Sequence, residues 1–246
     1  MKEFLKKITE KFIPTRYQLA LRFFYLKKRN ILDEEMFYVE KLLNKKRRFL
    51  DIGANVGIYS YYFKNIFKKI DAFEPLSDIT HLLKSISNES LKVHNVALSN
   101  KTGELKFYIP LMNGKPFPPL ASLNKRDCEC EVRTVKVETV DFYDFDDVDL
   151  IKIDVEGHEQ SVIEGAVKVI NKNKPLLIVE IEQRHIKKDI NDVFDFIIGL
   201  NYSGFFLLNG RLTPLTKFSY EANQKPFLDD VLSSQYINNF IFIPNI

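Results

Sequence analysis

Apolar positions fall first into a helical rhythm and then into short continuous runs. Leu5, Ile8 and Phe12 share one helical face, opposite Lys2, Lys6, Lys7 and Lys11. Residues 1–47 therefore read as a polar, helical N-terminal extension, broken at Pro14. From Arg48 the runs 49–52, 70–73, 91–98, 148–153 and 175–179 predict strands, the apolar ones covered on both faces. Val56, Tyr59, Tyr62, Phe63 and Ile66 recur at helical spacing between them, as do Val162, Ile163, Ala166, Val169 and Ile170. Segments 76–86 and 190–200 read as further helices, the first with Ser77 or Asp78 as N-cap. Residues 104–109 predict a strand paired as a hairpin across the 99–103 turn. Residues 132–140 predict an edge strand, and 204–208 and 240–243 two late strands. Pro110, Pro116, Pro118 and Pro119 mark 110–130 as a loop. Alternating β and α units over 48–246 argue for a doubly wound, mostly parallel α/β sheet behind the 1–47 extension.

The stretch from Arg48 to Ser60 organises the rest. It reads as a buried strand, a tight turn and a helix start, with Asp51 at the strand's carboxyl end. Gly53 and Gly57 lack a Cβ, so backbone there can bend sharply and approach a ligand. Asn55 stands where a dinucleotide fingerprint needs its second glycine, and no Lys-Ser/Thr pair follows as in a P-loop. The spacing is instead D-x-G-x-x-x-G. An acid before the first glycine suits a cationic ligand end better than a phosphate. S-adenosylmethionine offers an ammonium, a sulfonium and no phosphate. Glu74, about twenty residues on and followed by Pro75, stands where an acid accepts both ribose hydroxyls. Asn95 and Ala97 close the next strand, where an amide and a small residue would flank adenine. Ala54 and Tyr59 complete the expected cofactor set beside the turn.

Charge narrows the partners little. A formal net charge of +3 over 246 residues is too mild to imply nucleic acid. Basic groups at Lys27-Lys28-Arg29 and Lys45-Lys46-Arg47-Arg48 read first as solvated faces of helices packed on the core. Two rival readings are a lid over the site and weak contact with an anionic membrane surface or glycan carrier. Cys128 and Cys130, one residue apart, have the wrong spacing for a zinc knuckle and read as free thiols in a reducing compartment. Charges occupy the apolar centre a signal peptide needs, and no apolar run approaches ~20 residues. The expectation is a soluble, cytoplasmic protein.

At these residues the chain resembles the FkbM methyltransferase family. The resemblance is carried by F-L-D-I-G-A-N-V-G (49–57), F-E-P (73–75), N-V-A-L (95–98) and I-K-I-D-V-E-G-H-E (151–159), with supporting likeness at 135–141 and 238–242. It covers the chain from about residue 48 and implies a class I methyltransferase fold (Rossmann-like) with a seven-stranded sheet. It also implies S-adenosylmethionine as cofactor and an O-methyltransferase acting on a sugar, glycan-precursor or polyketide hydroxyl. Such a reaction needs an oxygen held in line with the methyl carbon and a base within reach of its proton. His158 is the first candidate base, because an imidazole accepts a proton near neutral pH. Asp154 would orient the acceptor or the cofactor, and Glu156 would anchor its loop or the acceptor sugar. Asp154, Glu180 and His158 could converge on a divalent ion, but no ligand spacing is diagnostic and no metal is assigned. His185, just beyond a strand end, could reach an acceptor. The alternatives are a cofactor-binding but non-catalytic partner, a methyltransferase for lipid or polyketide hydroxyls, and an NAD-type oxidoreductase, which Asn55 disfavours.

Overall fold

The computed structural model describes residues 13–125 and 127–245; the amphipathic stretch expected over 2–12 lies outside them. The strands are β1 (Arg48–Ile52), β2 (Lys69–Phe73), β3 (Leu91–His94), β4 (Ala97–Leu98), β5 (Gly103–Met112) and β6 (Lys115–Pro116). They continue as β7 (Cys130–Glu138), β8 (Val148–Ile153), β9 (Leu176–Glu180), β10 (Tyr202–Leu208), β11 (Arg211–Pro214) and β12 (Asn239–Pro244). The helices that position the site are α1 (Thr15–Lys28), α2 (Glu34–Leu42), α3 (Ile58–Phe63), α4 (His81–Lys84), α5 (Glu159–Glu164), α6 (Val167–Asn173) and α7 (Ile190–Gly199).

The central sheet runs β11-β10-β12-β9-β8-β1-β2-β3. β3, β2, β1, β8 and β9 are parallel, while β12 runs antiparallel between β9 and β10. Chain order reverses between β1 and β8, and an open sheet leaves a ligand crevice beyond the strand tips at such a point. Eight strands stand where seven were expected, because β11 adds a hairpin at the edge. Its turn is Asn209-Gly210, both at positive φ, a tight-turn dipeptide present in the sequence.

Alternate side chains enter opposite layers, as the short apolar runs imply. Leu50, Ile52, Ile151 and Ile153 pack under Val162, Ile163 and Phe194 of α5 and α7. Phe49, Ile70, Leu150 and Ile178 pack on the other face with Phe23, Met36, Val39 and Phe63. The helices of residues 15–42 are thus one of the two layers that cover the sheet. Their outer side still exposes Tyr17, Leu21, Phe24 and Tyr25 on α1.

Three local expectations change. The run 91–98 is not one strand: it bends at Asn95 and Val96, so Ala97 and Leu98 leave the main sheet for a second one, β4-β7-β5-β6. There β7 pairs parallel with β4 and antiparallel with β5, so the hairpin across 99–103 does not form and the expected edge strand is interior. Val135 and Val137 bury between Ala97, Phe107 and Ile109, and that tertiary packing selects the pairing. The helix expected over 76–86 shortens to α4, because the Leu76 N–H donates to Glu74 Oε1 (3.0 Å) and Thr80 Oγ1 to Ser77 O (3.1 Å).

Candidate active site

The crevice at the switch point is lined by Gly53, Asn55, Glu74, Pro75, Ala97, Asp154, Glu156 and His158 among the expected residues. Asp51, Ala54, Gly57, Tyr59 and Asn95, also expected at the cofactor, are not part of that lining.

The glycine turn is tight for an internal reason. Gly53 N and Ala54 N both donate to Phe73 O at 3.0 Å. At Gly53 (φ +76°) a Cβ would lie 1.7 Å from the Asp154 carbonyl oxygen; at Gly57 (φ +92°) it would lie 2.5 Å from Leu83 Cδ1. The room a side chain would need is filled by the neighbouring strand tip and by α4. Asp51 likewise turns inward: it is 1% exposed, and its Oδ2 accepts from Ser60 N (3.0 Å) and Ser60 Oγ (2.6 Å) at the start of α3. It does not face the crevice, so the acid expected at the cationic ligand end is instead a helix brace. Burial raises its carboxyl above the usual range, against the opposing effect of Lys152.

Glu74 does face the crevice. Its Oε2 accepts from Asn55 N (3.1 Å) and its Oε1 from Leu76 N (3.0 Å), leaving one lone pair on each oxygen for a pair of hydroxyls. Asn95 Nδ2 fixes the backbone behind it by donating to Glu74 O at 3.0 Å. Burial pushes the Glu74 carboxyl up to about 7, against the lowering effect of the two N–H donors. Phe107, Pro118 and Leu123, from the second sheet and the proline-rich loop, supply an apolar wall opposite. A carboxylate with a lone pair left on each oxygen, apolar sides and no phosphate cradle suit a nucleoside, and Gly53, Asn55, Glu74, Pro75 and Ala97 are the residues that would hold S-adenosylmethionine.

Lys152, inside the I-K-I-D-V-E-G block but without a role assigned by it, lies beneath Asp154. It sits opposite Asp51 in the β1–β8 register and is 3% exposed. Its Nζ reaches Asp154 Oδ2 at 2.6 Å and stands 5.1 Å from the Tyr59 ring centroid. Burial alone would lower the ammonium; Asp154, Glu180 and Asp51 outweigh it and hold the group above its ordinary value. A charged residue inside the apolar run 148–153 is the signal that could have found it.

Beyond β8 the chain makes a strained loop. Glu156 adopts φ +58° without being glycine, and its Oε2 pairs with His185 Nδ1 at 2.8 Å. The expected loop anchor is therefore a carboxylate–histidine pair. His158 corrects the expectation of a base poised near neutrality. Its Nδ1 lies 3.1 Å from Asn124 Oδ1 and its Nε2 2.9 Å from Ser99 Oγ. Asn124 Oδ1 only accepts, so Nδ1 carries the proton and Nε2 accepts from the serine hydroxyl. Burial pushes the ring down to about 4. A proton titration by NMR should accordingly show His158 neutral from pH 8 to 5, with its transition near 4; a midpoint above 6 contradicts this arrangement. Asp154, His158 and Glu180 do not converge: among the described residues no three His, Cys, Asp or Glu side chains are placed to hold a metal.

The Methyltransferase FkbM domain matches residues 51–205, more than half of the chain. The chain belongs to the FkbM methyltransferase family. Its fold is that of class I S-adenosylmethionine-dependent methyltransferases. A methyltransferase FkbM from Methylobacillus flagellatus KT is 17% identical with TM-score 0.52; the match covers 80% of this chain and 43% of that one. This chain thus spans less than half of that protein's length. An O-methyltransferase from Bacillus cereus in complex with SAH is 12% identical with TM-score 0.47, covering 98% of this chain and 96% of that one. An rRNA methylase from Streptococcus thermophilus is 11% identical with TM-score 0.47, covering 86% and 94%. No curated protein matches the sequence significantly.

The Glu74 environment predicts how this family member takes its cofactor. Ribose hydroxyls would donate to an ionised carboxylate there, and burial brings the free group to half protonation near pH 7. Affinity for S-adenosylhomocysteine is therefore expected to rise with pH to a plateau above 7, and to fall up to about tenfold per unit below it. Calorimetry from pH 5.5 to 8.5 checks this, and Glu74→Gln should remove the slope. A wild-type profile as flat as that of the variant would contradict it.

Proposed function

We propose that the chain is an O-methyltransferase that moves a methyl group from S-adenosylmethionine to a hydroxyl of a sugar or glycan precursor. The observation that supports it best is Asp154. It lines the crevice, its Oδ2 is held by the Lys152 ammonium, and its Oδ1 has no hydrogen-bond partner among the described residues. That oxygen can accept the hydrogen bond of an acceptor hydroxyl, orient its lone pair and take the proton as the new bond forms. When bound, S-adenosylmethionine supplies an electrophilic methyl carbon with a neutral thioether as leaving group. His158, with both ring nitrogens engaged, holds the loop that carries Asp154 in place. Lys152 holds the carboxylate aimed, so little reorganisation is left for the moment of transfer.

Asp154→Asn should lower turnover by about 10²–10⁴-fold. Calorimetry with S-adenosylhomocysteine checks cofactor binding separately, and methyl transfer to a panel of sugar hydroxyls checks the acceptor. Full turnover in Asp154→Asn, or transfer to amines alone, would overturn the reading.

A lipid-carried glycan precursor fits one surface feature. Tyr17, Leu21, Phe24 and Tyr25 are exposed on α1 beside exposed Arg16, Lys27, Lys28 and Arg29, the apolar-plus-basic combination that favours an anionic membrane surface. Sedimentation with phosphatidylglycerol vesicles should carry the protein down, and Phe24→Ser with Tyr25→Ser should weaken this at least several-fold. Protein that stays in the supernatant with these vesicles would remove the membrane from the picture.

A further inference from the structure

We infer that the open cleft beyond His158 is the acceptor subsite, and that it takes an acceptor bearing an anionic group, phosphate or carboxylate, against Lys125, Lys187 and Lys188. The inference rests on the methyltransferase reading above and names the substrate class for the same site. The cleft encloses about 650 Å³. His158 and Leu123 line both it and the cofactor crevice, so a molecule seated in it abuts the reacting centre.

Two loops carry the lysines, and both are pinned to residues 156–158. Lys125 follows Asn124, whose Nδ2 donates to Gly157 O at 2.5 Å and whose Oδ1 holds His158 Nδ1. Lys187 and Lys188 follow His185, the partner of Glu156. Gly157 (φ +98°) lets that turn close in, since a Cβ there would stand 2.3 Å from His185 O. Gln183 Nε2 then donates to Ile186 O (3.2 Å) and Lys188 O (2.7 Å), fixing the backbone beneath the two lysines. The backbone that carries the cations is thus fixed beside the 156–158 loop before any acceptor arrives, which lowers the ordering cost of binding.

The described residues leave the cations of the cleft in excess. Lys125, Lys187 and Lys188 make no ion pair with a described residue. Glu164, the carboxylate in the cleft lining, is held by the neutral amides of Asn100 (Nδ2, 2.7 Å) and Gln160 (Nε2, 3.0 Å), so the lining sets three lysines against one carboxylate. Glu156 is turned to His185. Three ammonium groups around one cleft raise a positive potential that concentrates anions, and a neutral sugar gains nothing from it.

The full chain, with and without S-adenosylhomocysteine, is titrated with glucose 1-phosphate, glucuronate and glucose. One of the anionic sugars is expected to bind at least tenfold tighter than glucose in 50 mM salt, and the preference should shrink in 500 mM salt. Which of them binds separates a phosphate acceptor from a carboxylate one. Combined Lys125→Ala, Lys187→Ala and Lys188→Ala should abolish the preference while leaving S-adenosylhomocysteine affinity unchanged, since exposed lysines are replaced at little cost in stability. Equal binding of the three sugars, no binding of any, or a preference that survives in the triple variant would overturn the inference. So would a single-stranded oligonucleotide that displaces the anionic sugar and binds more tightly. Failure of S-adenosylhomocysteine to bind the wild type would instead strike the cofactor reading, because the sugar titration reads the cleft on its own.

Discussion

Lys152→Met is expected to destabilise the protein by about 3–5 kcal/mol, the usual cost of removing one partner from a buried ion pair. The ammonium faces Asp154 directly and Asp51 and Glu180 electrostatically, and it is almost fully buried. Without it buried Asp51 is left close to Asp154 and Glu180 with no opposing charge between them. For a chain of this length the melting temperature should fall by roughly 6–20 °C, read by calorimetry at pH 7.5. Adding Asp154→Asn to Lys152→Met should recover part of the loss, because the double variant buries one carboxylate fewer. A single variant melting within about 2 °C of wild type would show that the pair carries little of the site's order.

Gly53→Ala is expected to act more severely, by more than about 4 kcal/mol and with loss of measurable S-adenosylhomocysteine binding. The new methyl would stand 1.7 Å from the Asp154 carbonyl. That oxygen cannot easily retreat, because the Asp154 N–H is bonded to Ile52 O at 3.0 Å across the sheet. The positive φ adds about 1–2 kcal/mol of its own. Gly199→Ala is the matching control: a Cβ there would meet nothing within 4 Å and its φ is ordinary, so the change should be neutral or slightly stabilising. A Gly53→Ala protein that folds and binds normally would mean that the β1 and β8 tips are not in contact as described.

Both variants concern groups that can be found in the sequence but whose partners cannot. The D-x-G-x-x-x-G turn points to the right glycines, yet the need for them comes from the neighbouring backbone rather than the ligand. Asp51 and Glu74 look like equivalent acids at successive strand tips. The pleat and the start of α3 turn one inward to Ser60, and leave the other on the crevice wall. The ordinary chemistry of imidazole points to His158 as a base. Burial, Ser99 and Asn124, one from β4's turn and one from the proline-rich loop, take that chemistry away.

What the sequence by itself determined is local: the strand runs, the helix faces, the glycine turn and the family. Apolar periodicity and steric limits act over a few residues and need no partner. Only the tertiary structure decided the bend at Asn95, the insertion of β7 beside β4, the burial of Lys152 under Asp154 and the meeting of Asn124 and His185 around the 156–158 loop. Each of these depends on segments tens of residues apart (for Lys152, the β1 and β9 tips with Asp51 and Glu180), and which distant groups share one desolvated space is settled by packing the whole sheet, not by any short stretch of it.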